Sequence, residues 1–247
     1  MNVNLEKEIG WLLNEKYASE RTPAAEADIV RLKRGEPVAY VIGYVDFLGC
    51  TIDLSAQPLI PRPETEHWAG RAITALKARE NPRVLDIFAG SGCIGTAVLK
   101  HTPSATVVFA ERNVELLPQI TENLRLNGVA PSRYRVVQSD LFSGVSGTFD
   151  AILANPPYVA TGDPELQDSV RRWEPAEAVV SGETGLELIE PFLRIAPEHL
   201  TPGGELWLEF GAGQGSAVGA FLAEFGYTAD RFPDQFGVER YAVAKLL

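Results

Sequence analysis

Residues 84–95 have the sequence Val-Leu-Asp-Ile-Phe-Ala-Gly-Ser-Gly-Cys-Ile-Gly, which is typical of a buried strand, a glycine-rich turn and the start of a helix. Glycines in such a turn let the backbone approach a ligand closely and expose the N–H groups of the helix N-terminus. From Arg83 onward, strand patterns alternate with helix patterns, which predicts an α/β fold with a doubly wound, mostly parallel sheet. The strands are predicted at five ranges, with helices between them: 83–88, 106–110, 134–138, 149–154 and 204–210.

Shorter elements are predicted on either side of this sheet. Five apolar side chains share one face of an N-terminal helix: Leu5, Ile9, Leu12, Leu13 and Tyr17. Thr22 and Pro23 form the N-cap and first residue of a second helix, which is expected to run to about Arg34. The β-branched and aromatic residues of 38–54 predict a strand pair. Near the C-terminus, two extended runs joined near Gly237 predict an antiparallel hairpin on the sheet edge: 227–231 and 239–246.

A proline-containing linker separates the first elements from the sheet. Residues 61–66 are Pro-Arg-Pro-Glu-Thr-Glu, and an ordinary interdomain linker would explain the prolines but not the arginine and glutamates beside them. We therefore expect three parts: a short helical cap (1–36), a β-hairpin and linker (37–63), and the sheet domain (64–247).

The charge balance bears on the class of partner. The 247 residues include 33 Asp and Glu against 22 Lys and Arg, a net charge of −11, and the sequence pI is about 4.8. Because counterion release would work against binding to a polyanion, no nucleic-acid partner is expected. A protein substrate or a small cationic cofactor suits the charge better.

Cysteine, histidine and hydropathy patterns exclude further classes. Cys50 and Cys93 form no disulfide framework, so we place the protein in a reducing cytoplasm. His67, His101 and His199 are scattered and give no metal-ligand spacing with the cysteines, so no metal is expected. No apolar run approaches the roughly 20 residues that span a bilayer, and the N-terminus lacks a signal-peptide pattern. We expect a cytoplasmic monomer without membrane contact.

The strand predicted at 149–154 ends abruptly in Asn155-Pro156-Pro157-Tyr158. The prolines have carbonyl groups but no N–H, so the backbone presents acceptors with few competing donors. The Asn155 oxygen and a neighbouring carbonyl, expected to be that of Pro156, can each accept one hydrogen of a planar –NH2 group. Tyr158 can lay its ring on the flat face of the amide or base. The alternative is a rigid exit from the strand, with Asn155 capping a turn.

Three carboxylates are expected around the glycine-rich turn. Glu111 ends the second strand, where an acidic side chain takes the two hydroxyls of a ribose. Asp140 and Leu141 follow the third strand, where they can hold the edge and face of an adenine. Asp86 stands beside the turn, where its carboxylate would repel a pyrophosphate but can engage an ammonium group, directly or through water.

Two cofactor classes compete for this pocket. Residues 90–95 satisfy G-x-G-x-x-G, the weak signature of a dinucleotide dehydrogenase. Asp86 and the Asn-Pro-Pro-Tyr segment instead favour S-adenosylmethionine, a ligand with ribose hydroxyls, an amine and a sulfonium. Each carboxylate also has a structural alternative, with Asp86 as a helix cap, Glu111 as a surface charge and Asp140 as a turn former.

With these motifs the chain closely resembles the HemK/PrmC family of protein N5-glutamine methyltransferases, which modify peptide chain release factors. The resemblance covers roughly residue 35 to the C-terminus, and the Asn-Pro-Pro-Tyr motif alone is shared with DNA and RNA amine methyltransferases. It rests on residues 35–40 (Gly-Glu-Pro-Val-Ala-Tyr), 60–66, 86–95, 155–158, 174–175 (Glu-Pro), 182–186 (Gly-Glu-Thr-Gly-Leu), 208–211 (Leu-Glu-Phe-Gly) with Gln214, and 234–240.

The resemblance implies a Rossmann-like class I methyltransferase domain at 64–247, with S-adenosylmethionine as cofactor and a release factor as protein substrate. Cofactor contacts are expected at Asp86, Phe88, Ala89, Gly90, Ser91, Gly92, Glu111, Asp140, Leu141 and Asn155. Substrate contacts are expected at Asn155, Pro156, Pro157 and Tyr158, of which Asn155, Pro156 and Tyr158 are the candidate catalytic residues.

The chain departs from the family pattern in two places. Phe88-Ala89 stand where the family usually has Gly-Thr, so the first turn contact is expected to differ in shape. The helical region before Gly35 is about half of what the family usually carries, and the resemblance implies that this region helps to dock the release factor.

Two further hypotheses follow from the same residues. An N6-adenine or guanine-N2 methyltransferase would stack a flipped base on Tyr158, but it needs a basic track or a recognition domain. A non-catalytic cofactor-binding protein would use the short cap as an interaction module. In the preferred hypothesis, the amide nitrogen of a glutamine attacks the cofactor methyl group in line.

Overall fold

The computed structural model describes residues 3–247. Its helices are α1 (Val3–Tyr17), α2 (Pro23–Lys33), α3 (Val38–Ile42), α4 (Pro63–Leu76), α5 (Cys93–His101), α6 (Leu117–Leu126), α7 (Asp168–Trp173), α8 (Ala176–Val179), α9 (Ile189–Ile195) and α10 (Gly215–Glu224). Its strands are β1 (Tyr44–Phe47), β2 (Cys50–Asp53), β3 (Arg83–Ile87), β4 (Thr106–Glu111), β5 (Tyr134–Gln138), β6 (Phe149–Ala154), β7 (Leu200–Glu209), β8 (Tyr227–Pro233) and β9 (Glu239–Leu246). Short 3-10 turns lie at Val114–Leu116, Pro131–Arg133 and Ala196–His199.

The predicted doubly wound sheet is confirmed. Seven strands form it in the order β5-β4-β3-β6-β7-β9-β8. The strands β3 to β7 are parallel, and β9 is antiparallel to both β7 and β8, as expected of a C-terminal hairpin at the edge. The chain runs outward from β3 to β5 and then returns to place β6 on the other side of β3. The topological switch point therefore lies between β3 and β6, where open α/β sheets bind ligands.

Two hydrophobic layers cover the sheet, one on each face. Val84 of β3 packs into the layer formed with α4, α5 and α6, whereas its neighbours Leu85 and Ile87 pack with α9 and α10. This alternation follows from the period of two in a strand, and burial on both faces explains why the parallel strands are almost continuously apolar. The polar groups of the site therefore lie at the C-terminal ends of the parallel strands, between the two layers.

The N-terminal region is helical for longer than expected. The Thr22 hydroxyl accepts from the Ala25 N–H at 3.1 Å, which confirms the predicted N-cap of α2. The strand pair predicted over 38–54 is confined to β1 and β2, because residues 38–42 form α3. Val41 packs in a small apolar cluster with side chains of α1 and α2, and this tertiary packing overrides the β preference of Val and Ile. Gly43 ends the helix at a φ of +102°.

The β1–β2 hairpin is tied to the sheet domain beside the glycine-rich turn. Asn123 of α6 accepts from the Asp53 N–H at 2.8 Å and donates to the Ser91 carbonyl at 2.9 Å. Asn123 is completely buried, so both bonds are shielded from water. The hairpin thereby helps to hold the turn, although it precedes the sheet by 30 residues. Across residues 3–247 no helix has the length and apolarity needed to cross a bilayer.

Candidate active site

The turn after β3 departs sharply from extended backbone. Phe88, Gly90 and Gly92 all have positive φ angles, of 60°, 54° and 75°. A bulky residue rarely adopts this conformation, and the Phe88 ring is held by an edge-to-face contact with Phe192, 5.5 Å between centroids. The positive φ of Phe88 is thus accommodated by packing of its ring against α9.

Asp86 lies beneath the turn. It is completely buried, its Oδ2 accepts from the Gly95 N–H at 2.8 Å, and burial raises the pKa of its carboxyl to about 8. Gly95 is needed for this approach, because a Cβ there would overlap the Phe109 ring. This bond to a backbone N–H in the first turn of α5 agrees with the alternative in which Asp86 caps that helix. Asp86 is not among the residues that line the adjacent cavity. A contact between Asp86 and an ammonium group stays a prediction.

Glu111 stands at the end of β4 with both carboxylate oxygens anchored. Its Oε2 accepts from the Gly90 N–H at 2.8 Å and its Oε1 from the Asn113 N–H at 2.7 Å. Each oxygen keeps further lone-pair capacity. The carboxylate is therefore fixed beside the turn while still able to accept two ribose hydroxyls.

A cavity of about 970 Å³, including space open to solvent, begins at this turn. Asp140 is exposed at its rim, while Leu141 is half-buried with a φ of +49°. Sequence reasoning missed Leu116, which also lines the cavity and whose only signal was its place just after the second strand. Eight of the ten predicted cofactor residues line the cavity: Phe88, Ala89, Gly90, Ser91, Glu111, Asp140, Leu141 and Asn155. Asp86 and Gly92 do not.

The Asn155–Tyr158 segment lies where this cavity meets a second one. Ala154 pairs with Ile87, so Asn155 leaves the sheet next to the glycine-rich turn. Asn155 and Pro157 line both cavities, whereas Pro156 and Tyr158 line only the second, which encloses about 1310 Å³ including open space. A molecule bound in the second cavity would therefore come close to a molecule bound in the first cavity at Asn155.

The Asn155–Tyr158 segment is hydrogen-bonded, directly and through Thr65, to a buried carboxylate to which the sequence analysis gave no role. Glu209, completely buried at the end of β7, accepts from Thr65 Oγ1 at 2.7 Å, Trp68 Nε1 at 2.6 Å and Tyr158 Oη at 3.0 Å. Burial raises the pKa of Glu209, and these three bonds oppose the rise. Asn155 Nδ2 in turn donates to Thr65 Oγ1 at 3.2 Å.

The linker and the loop after Tyr158 are joined by an ion pair. The carboxylate of Glu174 accepts from Arg62 Nη2 at 2.6 Å and from the Ile60 N–H at 3.1 Å. Only 2% of the Glu174 side chain is exposed, against 31% of Arg62, so loss of Arg62 would leave a buried carboxylate without its ion-pair partner. The arginine that an ordinary linker left unexplained thus closes the site from one side.

Comparisons with known proteins agree with this arrangement. Residues 72–171 match the family model described as the methyltransferase small domain. A methyltransferase from Pyrococcus furiosus superposes with a TM-score of 0.59 at 20% identity, covering 89% of this chain and 95% of that one. A ribosomal protein L11 methylase from Lactobacillus delbrueckii gives 0.58 at 18% identity, covering 78% and 83%. The chain therefore has the fold of the class I methyltransferases.

Sequence relatives narrow this class to one family. The release factor glutamine methyltransferase of Deinococcus radiodurans is 34% identical over 227 residues, covering 90% of this chain and 81% of the relative. The enzyme of the same name from Salmonella typhimurium is 37% identical over 207 residues, covering 82% and 73%. The chain belongs to the release factor glutamine methyltransferase family, and its cofactor is S-adenosylmethionine.

The residues present fit this cofactor. The anchored Glu111 carboxylate suits the ribose hydroxyls, and the turn of positive φ angles gives the close backbone approach that a nucleoside requires. Leu116 and Leu141 supply apolar contact for a flat base, and Asn155 stands where the two cavities meet. These side chains would hold and orient the cofactor when it binds.

Proposed function

We propose that this protein transfers a methyl group to the side-chain amide nitrogen, N5, of a glutamine in a protein. We further propose that this glutamine is that of the Gly-Gly-Gln sequence in class 1 peptide chain release factors. The names of the relatives support this substrate. We also propose that the chain acts as a monomer in the cytoplasm, where release factors work.

The observation that carries the proposal is a pair of free acceptors, one on Asn155 at the junction of the two cavities and one on the adjacent Pro156 at the second cavity. Within residues 3–247 no donor bonds to Asn155 Oδ1 or to the Pro156 carbonyl oxygen. A carboxamide –NH2 has two hydrogens, and these two oxygens can each accept one. Its nitrogen would then be held with its remaining face toward the first cavity.

This geometry addresses the main difficulty of the reaction. An amide nitrogen is a poor nucleophile because its lone pair is delocalised into the carbonyl group. Acceptors on both hydrogens orient the nitrogen and favour the positive charge that it gains, and positioning within about 3–3.5 Å of the reacting carbon contributes several kcal/mol. The bound cofactor supplies a methyl group made electrophilic by its sulfonium. Asn155 and Pro156 would hold the amide nitrogen facing that methyl group, and transfer would exchange the sulfur–carbon bond for a nitrogen–carbon bond, after which the nitrogen would lose one proton.

The experiment that tests the substrate is mass spectrometry after incubation with the labelled cofactor. We expect one added methyl group on the Gly-Gly-Gln glutamine of a class 1 release factor, and no labelling of DNA or ribosomal RNA under the same conditions. Labelled nucleic acid with an unmodified release factor would refute the proposal.

Asn155→Ala tests the site. Removing one of the two acceptors is expected to reduce turnover by about 10²-fold, comparable with loss of a preorganised hydrogen-bonding group in other active sites. Calorimetric titration of the cofactor should show a far smaller change in its Kd. Comparable losses of turnover and of cofactor binding would contradict this role for Asn155.

A further inference from the structure

Four polar groups connect the substrate-facing amide to the core of the sheet domain. Asn155 Nδ2 donates to Thr65 Oγ1, and Thr65 Oγ1 donates to Glu209 Oε2. The same carboxylate accepts from Trp68 through Oε2 and from Tyr158 through Oε1. Thr65 and Glu209 have 2% and 0% of their surface exposed, so water cannot replace these bonds freely.

In each of these hydrogen bonds, the donor and the acceptor can be assigned from the number of protons that each side chain carries. The indole N–H of Trp68 can only donate, so Glu209 Oε2 is an acceptor. This holds whether or not the carboxyl is ionised, because a proton on Glu209 is accommodated at Oε1, beside the Tyr158 hydroxyl. Thr65 has one hydroxyl proton and donates it to Oε2, so toward Asn155 it can only accept.

The orientation of the Asn155 amide is therefore determined by Thr65. An asparagine amide can present either its oxygen or its –NH2 group at a given position, since its terminal torsion is roughly two-fold. A neighbour that only accepts selects the –NH2 group on its side and leaves Oδ1 for the opposite side. The reversed orientation would direct two N–H groups at the N–H groups of an incoming carboxamide.

We propose that Thr65, held by Glu209, is a positioning residue that fixes the Asn155 side chain with its oxygen toward the substrate –NH2 group. This inference rests on the proposed function, because it explains how Asn155 Oδ1 is kept available as an acceptor for the glutamine –NH2 group. Glu209 anchors both ends of the segment at once, through Thr65 to Asn155 and directly to Tyr158. Helix α4 thus supplies part of the active site through Thr65, which acts through Asn155.

Thr65→Val and Thr65→Ser form the matched test. Valine keeps the shape of threonine but removes the hydroxyl, whereas serine keeps the hydroxyl and loses only a methyl group. With the full chain, the cofactor and a class 1 release factor, Thr65→Val is expected to reduce kcat on the order of 10-fold, the loss for one net hydrogen bond. The cofactor Kd should change by less than about 2-fold, and Thr65→Ser should restore most of the rate.

A double-variant cycle separates positioning from general damage. If Thr65 acts through Asn155, adding Thr65→Val to Asn155→Ala should cause no further loss of kcat. An unchanged rate in Thr65→Val, a Thr65→Ser variant as slow as Thr65→Val, or losses that multiply in the double variant would each overturn the inference.

A measurement on the unmodified protein needs neither a folded variant nor a substrate. In an ¹⁵N NMR spectrum, the side-chain amide of Asn155 should show slow solvent exchange and a nuclear Overhauser contact with the Thr65 methyl group. Fast exchange without that contact would overturn the inference by itself. Failure of the wild-type protein to methylate any release factor would instead refute the proposed function, and the NMR result would still decide the orientation of Asn155.

Discussion

The anchored carboxylate of Glu111 allows the strength of cofactor binding to be predicted from the structure. Glu111→Gln keeps the size of the side chain but replaces one oxygen with an –NH2 group. The amide oxygen can still accept from either the Gly90 or the Asn113 N–H, which lie 2.8 and 2.7 Å from the two carboxylate oxygens. The other backbone N–H then faces a donor, and one ribose hydroxyl loses a charged acceptor.

The size of the effect follows from that lost bond. A hydrogen bond to a charged group contributes about 1.5–3 kcal/mol, and about 1.4 kcal/mol corresponds to tenfold in Kd. We therefore expect Glu111→Gln to weaken cofactor binding roughly 10- to 150-fold. Because Glu111 lines the first cavity and not the second, kcat at saturating cofactor should change much less.

Isothermal titration calorimetry with the cofactor measures this change, and Glu115→Gln is the matched control. Glu115 is an exposed residue four positions further on, so its substitution removes the same charge without touching the anchored carboxylate. Thermal unfolding would confirm that both variants are folded. A Kd for Glu111→Gln within about 3-fold of wild type, or an equal loss in Glu115→Gln, would refute the assignment of the ribose to Glu111.

Two predictions concern stability. Gly95→Ala places a methyl group against the Phe109 ring and should lower the free energy of unfolding by about 1–3 kcal/mol in urea titrations. Gly10→Ala, in an open position of α1, should instead raise it by about 0.5–1 kcal/mol, and equal effects would contradict this account. Burial raises the pKa of Asp86 to about 8, so the folded state binds a proton that the unfolded state releases near pH 4. Stability should therefore fall between pH 5 and 8, and Asp86→Asn should make that fall shallower; the same pH dependence in both proteins would show that Asp86 is not the group responsible.

Local patterns were sufficient for most of the sheet. The apolar run of β6 begins and ends where the sequence indicated, because a strand buried on both faces is continuous and Pro156 stops it. The strand β7 was predicted to begin at residue 204 but begins at Leu200, since the chain pairs with β6 through an irregularity that accommodates Pro202 and the glycines at 203–204. The helix at 38–42 was missed because its burial depends on contacts with α1 and α2, which no local pattern contains.

The candidate site likewise contains features that local sequence predicts and features that depend on contacts between distant residues. The position of Glu111 beside the glycine-rich turn could be predicted because it depends only on one strand end and on the turn, whose Gly90 lies 21 residues earlier. The contact between Thr65 and Glu209 was not predicted, although both residues lie in segments that the family resemblance singled out. Their bond joins residues separated by 144 positions, and its significance appears only when α4 is seen against the end of β7. Residue types and spacing cannot supply that contact.

The burial of Glu209 is itself an argument for a role beyond folding. A carboxylate at 0% exposure pays a desolvation penalty, which the raised pKa reflects, and apolar replacements of buried ionic groups are often neutral or stabilising. Leu208 and Phe210, its neighbours on β7, are as deeply buried and apolar. For stability alone, apolar side chains at all four positions of this cluster would serve, whereas replacing only Glu209 would leave the Thr65, Trp68 and Tyr158 donors without an acceptor. An apolar side chain at position 209 could not accept hydrogen bonds from Thr65, Trp68 and Tyr158. Without that acceptor, the Thr65 hydroxyl would be free to donate to Asn155. The Asn155 amide would then reverse and present its –NH2 group to the substrate.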